Sequence, residues 1–152
     1  MSIVAESPAE LASCVGEAAT GEWFTIDQQR IQSFADATED WQWIHLDAER
    51  AASGPFGSTI AHGYLTLSLL PRLTAGLLEV GRTAMVVNYG LDKVRFLQPV
   101  PVDARVRAIT EISGVESTSQ GYRVSLKTTI ELDGAERPAL IAETLALFVP
   151  EA

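Results

Sequence analysis

From Val102 to Val149 the chain is almost entirely strand-forming, and this constrains its fold more than any other feature. Three long segments, Val102 to Val115, Gly121 to Leu132 and Ala139 to Val149, are rich in Val, Ile and Thr, residues that suit a pleated, half-buried surface. Gly114 to Gly121 and Asp133-Gly134 read as turns of the hairpin kind between them. At about 3.3 Å per residue, strands of this length run roughly 35 Å, long enough to curl round another element. Ala84 to Asn88 and Leu91 to Phe96 extend the strand-like region upstream, and Pro99 and Pro101 interrupt it.

The element to be enclosed lies just before. From Thr59 the apolar residues Ile60, Ala61, Tyr64, Leu65, Leu67, Leu69 and Leu70 are so dense that a helix here would be apolar almost all round. Pro71 ends or kinks that helix, and Leu73, Leu77 and Leu78 continue at helical spacing towards Gly81. The expected architecture is α+β: one long buried helix wrapped by a curved antiparallel meander of four or five strands.

The first third is helices and loops. A short helix starts near Ser7 with Pro8 at its first position, Gly16 and Gly21 bracket a loop, and Trp23 to Ile26 is a short strand. Asp27 caps a helix with Ile31, Phe34 and Ala35 on one face, ending near Ala37. Thr38 to Leu46 reads as loop, Asp47 caps a short helix over Ala48 to Ala52, and Ser53 to Ser58 is rich in turn residues.

The length of 152 residues fits one domain over 1–152, with 1–25 as an N-terminal extension. With 11 Lys+Arg against 20 Asp+Glu the formal charge is -9, which argues against a nucleic-acid partner because phosphate attraction dominates that affinity. The single Cys14 makes neither an internal disulfide nor a cysteine metal site, in keeping with a reducing cytoplasm, the expected location. Met1 to Val15 carries Glu6 and Glu10 and no basic n-region, so no secretory signal is read there. The uncharged run Ala51 to Pro71 holds too many Gly, Ser and Thr residues to span a membrane.

The chain's 2 histidines both fall between Thr38 and Leu65. His45 follows Asp40 at a spacing wrong for one helix face, though a curled loop could bring the two together. An aspartate beside a histidine can fix its tautomer or share a water with it; equally, Asp40 could cap a turn and His45 be a satisfied, half-buried side chain. His62-Gly63 lies near the helix start, where free N–H groups and a bare backbone could hold an oxyanion, or where glycine merely permits close packing. No phosphate loop, zinc spacing or Gly-x-Ser-x-Gly elbow is present.

Phe34-Ala35-Asp36-Ala37-Thr38-Glu39-Asp40, then Trp43-Ile44-His45-Leu46-Asp47, then Gly57-Ser58-Thr59-Ile60-Ala61-His62-Gly63 together resemble the MaoC-like dehydratases. That group takes in the R-specific enoyl-CoA hydratases, 3-hydroxyacyl-thioester dehydratases of mycobacterial type and the nodulation protein N proteins. Lys93-Val94-Arg95-Phe96, Pro99-Val100 and Val102 look like the family's later strand motif, and the resemblance runs from Ile26 to Val149. It implies a hotdog fold and reversible hydration of a trans-2-enoyl thioester to the R-3-hydroxyacyl thioester. Asp40 and His45 match the catalytic pair, and Gly63 matches the glycine whose N–H binds the thioester carbonyl. Gln42 stands where many members have asparagine and Trp43 where they often have proline.

The resemblance implies no metal or redox cofactor, coenzyme A (or acyl carrier protein) being part of the substrate. Lys93 and Arg95, on one strand face, are the first candidates for coenzyme A phosphates, with Arg72 and Arg82 behind them. Tyr64, with Leu65, Leu69 and Leu73, is a candidate for the acyl pocket and Tyr64 for its gate. A free strand edge and the family point to a homodimer. The competing expectations are a hotdog thioesterase and a non-catalytic acyl-binding protein.

Overall fold

Alternation of buried and exposed side chains along the C-terminal half builds the sheet. Val106, Ala108, Thr110 and Ile112 turn inward from one strand, Val124, Thr128 and Ile130 from the next, and Leu140, Ala142 and Phe148 from the last. The computed structural model describes residues 1–152. Its elements are β1 (Ile3–Ala5), a 3-10 helix (Pro8–Cys14), β2 (Ala18–Thr20), β3 (Phe24–Thr25), α1 (Gln28–Thr38), α2 (Trp43–Leu46) and α3 (Ala48–Ala52). Then come α4 (Gly63–Ser68), α5 (Leu70–Leu73), β4 (Leu78–Val80), β5 (Thr83–Phe96), β6 (Arg105–Thr118), β7 (Gly121–Leu132) and β8 (Leu140–Pro150).

Six strands form one antiparallel sheet in the order β2-β6-β7-β8-β5, with β3 beside β6 at the end away from β2. The expected meander holds for β6 to β8 but not for β5, which pairs with β8 and forms the far edge. That edge is a single strand, Thr83–Phe96, where the sequence suggested two pieces. Register shifts at Met85, between Asn88 and Gly90 and between Leu91 and Lys93 absorb the irregularity as bulges. Gly114 likewise lies at a bulge in β6 and not in a turn: β6 runs on to Thr118, and a two-residue loop, Ser119-Gln120, leads into β7.

The central helix is neither single nor long. The stretch Thr59 to Ala61 is extended, because Ile60 N–H bonds Ile44 O, Ala61 N–H bonds Val100 O and Thr59 O accepts Val102 N–H. Helix begins at Gly63 and is interrupted at Leu69. Pro71 has no N–H to give the Leu67 carbonyl, and the Leu69 N–H is shared between Leu65 O at 3.0 Å and Thr66 O at 3.3 Å. Helical bonding resumes with Leu73 N–H to Leu69 O. Nor is the helix apolar all round: Leu65, Leu69 and Leu73 form one buried stripe, while Tyr64 is 70% exposed. The helical spacing does not carry through Leu78 either; Leu78–Val80 is a strand paired in parallel with β1.

Two core clusters result. Leu65, Leu69 and Leu73 pack with Ile26, with Ile31 of α1 and with Ala108, Ile130 and Leu140 of the sheet. Ile3, Leu11, Cys14 and Leu77 pack with Ile112, Val124 and Phe148 in the other cluster. No helix is long and apolar enough to cross a membrane.

Candidate active site

Two aspartates set the frame of the segment that carries both histidines. Asp27 Oδ1 accepts the Arg30 N–H at 2.8 Å and Asp47 Oδ1 accepts the Arg50 N–H at 3.0 Å, so both expected caps are present. α1 ends at Glu39, a non-glycine residue in the left-handed region with φ 61°. That reversal swings the chain at Asp40 out of the helix path. The expected loop then contains one short helix, α2, which points His45 inward. Trp43 is the first residue of α2, a position where proline is also at home. Its ring carries the Arg50 guanidinium at 4.0 Å, and a Cβ on Gly54 would stand 3.3 Å from it. Gln42 precedes α2 without capping it; its side chain is exposed and its N–H lies 3.5 Å from Asp40 Oδ1.

His45 is buried at 6% exposure. Its Nδ1 lies 2.7 Å from Ile60 O; a carbonyl only accepts, so Nδ1 carries the proton and Nε2 keeps a lone pair. The His45 carbonyl accepts from Gln28 Nε2 at 2.8 Å, and Gln28 Oε1 accepts from the buried Thr59 hydroxyl at 2.6 Å. This clamp from the first turn of α1 was not read from the sequence, since an exposed-looking glutamine there carries no signal. Burial lowers the His45 pKa below 6.5; the Ile60 carbonyl opposes the shift, nearby His62 adds to it, and Asp40 opposes it.

The fold brings Asp40, His45 and His62 together: one ligand-type atom from each lies within 4.8 Å of the others. The His45 and His62 rings stack with centroids 3.8 Å apart and planes 23° from parallel. A metal ion bonds imidazole in the ring plane at about 2.0–2.1 Å. The two rings lie face over face, so their in-plane lone pairs run alongside one another more than they converge on one such point.

His45 and Gly63 open onto a cavity of about 310 Å³ whose apolar wall includes Ile60, Phe96, Val100 and Leu140. Phe96 lies over Gly63: a Cβ added there would meet its ring at 3.1 Å. The Gly63 and Tyr64 N–H groups have no acceptor, because they head α4 and no helical turn precedes them; the first bonds of the helix run from Leu65 and Thr66 to the His62 carbonyl. Tyr64 does not line the cavity; its ring stands 6.1 Å from Phe96, edge to face. Leu65, Leu69 and Leu73 belong to the core and do not line it either.

Lys93 and Arg95 are both exposed on β5, opposite Glu143 and Ile141 respectively. The other basic candidates do not join them. Arg72 packs over Phe24 at 5.0 Å, and Arg82 sits with φ 49° in the turn before β5.

Residues 11–133 match the MaoC like domain. The chain is 49% identical over 146 residues to 3-hydroxyacyl-thioester dehydratase Z of Mycobacterium tuberculosis, covering 95% of this chain and 97% of that one. It is 43% identical to nodulation protein N of Rhizobium leguminosarum bv. viciae, covering 93% and 91% respectively. Among solved structures, the unliganded R-hydratase from Pseudomonas aeruginosa superposes with a TM-score of 0.76 at 27% identity, over 97% of this chain and 87% of that one. The R-hydratase from A. caviae superposes with a TM-score of 0.68 at 25% identity, over 88% and 95%. The fold is therefore the hotdog that the sequence motifs implied, with its helix interrupted, and this chain belongs to the MaoC-like domain family.

Proposed function

We propose that this chain is a hydro-lyase acting on acyl thioesters, interconverting a trans-2-enoyl thioester and the R-3-hydroxyacyl thioester. The observation that carries the reading is the meeting of an exposed carboxylate, Asp40, with a buried imidazole, His45, whose Nδ1 is bonded to a carbonyl and whose side chain lines an apolar cavity. One water held between Asp40 and His45 can give its oxygen to C3 of the enoyl group while a proton is delivered to C2. Reversal removes that C2 proton and expels water from C3. Each direction moves charge onto the thioester oxygen, and in this reading the Gly63 N–H, which has no other acceptor, receives it. The acid–base contribution of such a pair is roughly 10²–10⁴-fold.

The acyl part enters the cavity beside Phe96, against which the exposed Tyr64 ring stands edge to face. Coenzyme A, or the equivalent arm of acyl carrier protein, remains outside, where Lys93 and Arg95 are available to its phosphates. No metal or redox group is needed by this chemistry. The relatives named above as a thioester dehydratase and R-hydratases support the same class.

β5 leaves a long unpaired edge with Met85, Val86, Val87, Tyr89 and Leu91 exposed, a surface that a second copy would cover by pairing strand to strand. The protein is accordingly a homodimer, and light scattering showing a monomer at micromolar concentration would count against it. Incubation with crotonyl-CoA tests the activity. Loss of enoyl absorbance without release of free thiol is the hydratase result. Thiol release makes the protein a thioesterase, and no turnover makes it an acyl-binding hotdog.

A further inference from the structure

His62 is 2% exposed, and its Nδ1 is the one buried side-chain nitrogen or oxygen without a hydrogen-bond partner. Its Nε2 lies 3.0 Å from the Asp40 main-chain oxygen, and since that carbonyl only accepts, Nε2 carries the proton. Nδ1 is then a lone pair in the interior with no donor, an arrangement that costs stability and that packing alone would not select. The ring is nevertheless tightly placed. One neighbour is His45, stacked at 3.8 Å; the other is Phe34, tilted by 59° with centroids 5.0 Å apart.

We propose that His62 is a positioning residue for the hydration reaction: its Nε2–H anchors the main chain at Asp40 while its ring backs the imidazole of His45, so that one side chain sets the separation of the two. Asp40 needs such an anchor. It follows the left-handed residue Glu39, its side chain is exposed, and its carboxylate has only a 3.5 Å contact with the Gln42 N–H. His45, by contrast, is held independently at Nδ1 and at its carbonyl. Without the His62 bond, the aspartate is free to drift relative to a histidine that stays in place.

The inference rests on Asp40 and His45 being the reacting pair, so the test carries Asp40→Asn and His45→Gln alongside. Two His62 variants separate the ring from the bond: His62→Phe keeps a stacking ring without a donor, and His62→Gln keeps an N–H near Nε2 without a ring. Each is assayed with crotonyl-CoA for kcat and KM and melted thermally. The expected result for His62→Phe is a melting temperature no lower than that of the parent, kcat down by roughly 10²-fold and KM unchanged, since a misplacement of about 1 Å can cost that much. His62→Gln should recover most of the lost kcat. Wild-type kcat in His62→Phe, or equal loss in both variants, overturns the proposal. If His62→Phe fails to fold, His62→Leu takes its place; failure of both to fold while His62→Gln folds makes the bond structural and also overturns it. Full activity in Asp40→Asn or His45→Gln instead defeats the assignment of the pair, a result readable apart from His62.

Discussion

The strands β6 to β8 and the segment from Asp40 to Gly63 are built on opposite principles. The strands are held by a repeating main-chain ladder and by alternate side chains that bury hydrocarbon, as Val106, Ala108 and Ile130 do. Even the one polar pair on the inner face is matched across the ladder, Thr110 Oγ1 lying 2.8 Å from Thr128 Oγ1. The segment from Asp40 to Gly63 has almost no ladder. It is pinned by individual bonds between side chain and main chain: Gln28 to the His45 carbonyl, His45 to Ile60, His62 to Asp40. A ladder spreads its stability over many equivalent contacts, whereas a pinned loop depends on each pin. The sheet can therefore serve as scaffold while the loop presents polar groups at chosen positions.

The sharpest way to test that division is to remove chemistry from the loop. Asp40→Asn and His45→Gln are each expected to lower kcat with crotonyl-CoA by roughly 10²–10⁴-fold, about 3–5.5 kcal/mol in the barrier, with little change in melting temperature for Asp40→Asn and a modest fall for His45→Gln, which also loses the bond to Ile60. An equally large loss of stability would erase the distinction between scaffold and site. The converse change is Ile130→Ala, which empties a fully buried position of β7. It should cost about 2–5 kcal/mol of stability by denaturant titration while the folded fraction keeps its kcat.

Gln28→Ala sharpens the comparison from the other side. It leaves the Thr59 hydroxyl and the His45 carbonyl without a partner, and Thr59 is 2% exposed. The expected cost is about 1 kcal/mol of stability, together with a fall of a few-fold in kcat. A silent substitution would mean that the clamp does not hold the loop. The smallest effect concerns pH. His45 has a folded pKa below its ordinary 6.5, so the native state binds its proton less readily than the unfolded chain does. That contribution to stability is present above pH 6.5 and is lost as pH falls through the lowered value. The part of the melting temperature that His45 sets should thus hold steady above 6.5 and fall between 6.5 and the lowered value, while kcat/KM, which follows the folded imidazole, falls only around and below that lowered value; an acid limb of kcat/KM that begins above 6.5 would contradict the burial of His45.

Local signals were legible in the sequence wherever neighbouring residues decide the outcome. Asp27 and Asp47 cap where expected, α3 has the expected limits, and Pro71 disturbs the helix because its missing N–H is a property of that residue alone. The order of Asp40, His45 and Gly63 also pointed to one site, because the three motifs occur together and in sequence.

The tertiary structure decided what depends on remote partners. Leu78–Val80 keeps helical spacing yet becomes a strand, because β1 offers it a parallel ladder from the far N-terminus. Thr59 to Ala61 is extended because Ile44, Val100 and Val102 supply hydrogen bonds that a helix there would forgo. β5 sits beside β8 rather than β6, since pairing at a sheet edge is settled by how all the strands bury their inner faces at once, which alternation within one strand does not encode. The same holds at the site. Stacking of His45 on His62, the reach of Gln28 to the His45 carbonyl and the cover of Phe96 over Gly63 all join residues far apart in the chain. The resemblance of the motifs to the family pointed to the candidate groups; only the packed chain could set the distances between them, because those distances come from main-chain carbonyls that no residue letter reveals.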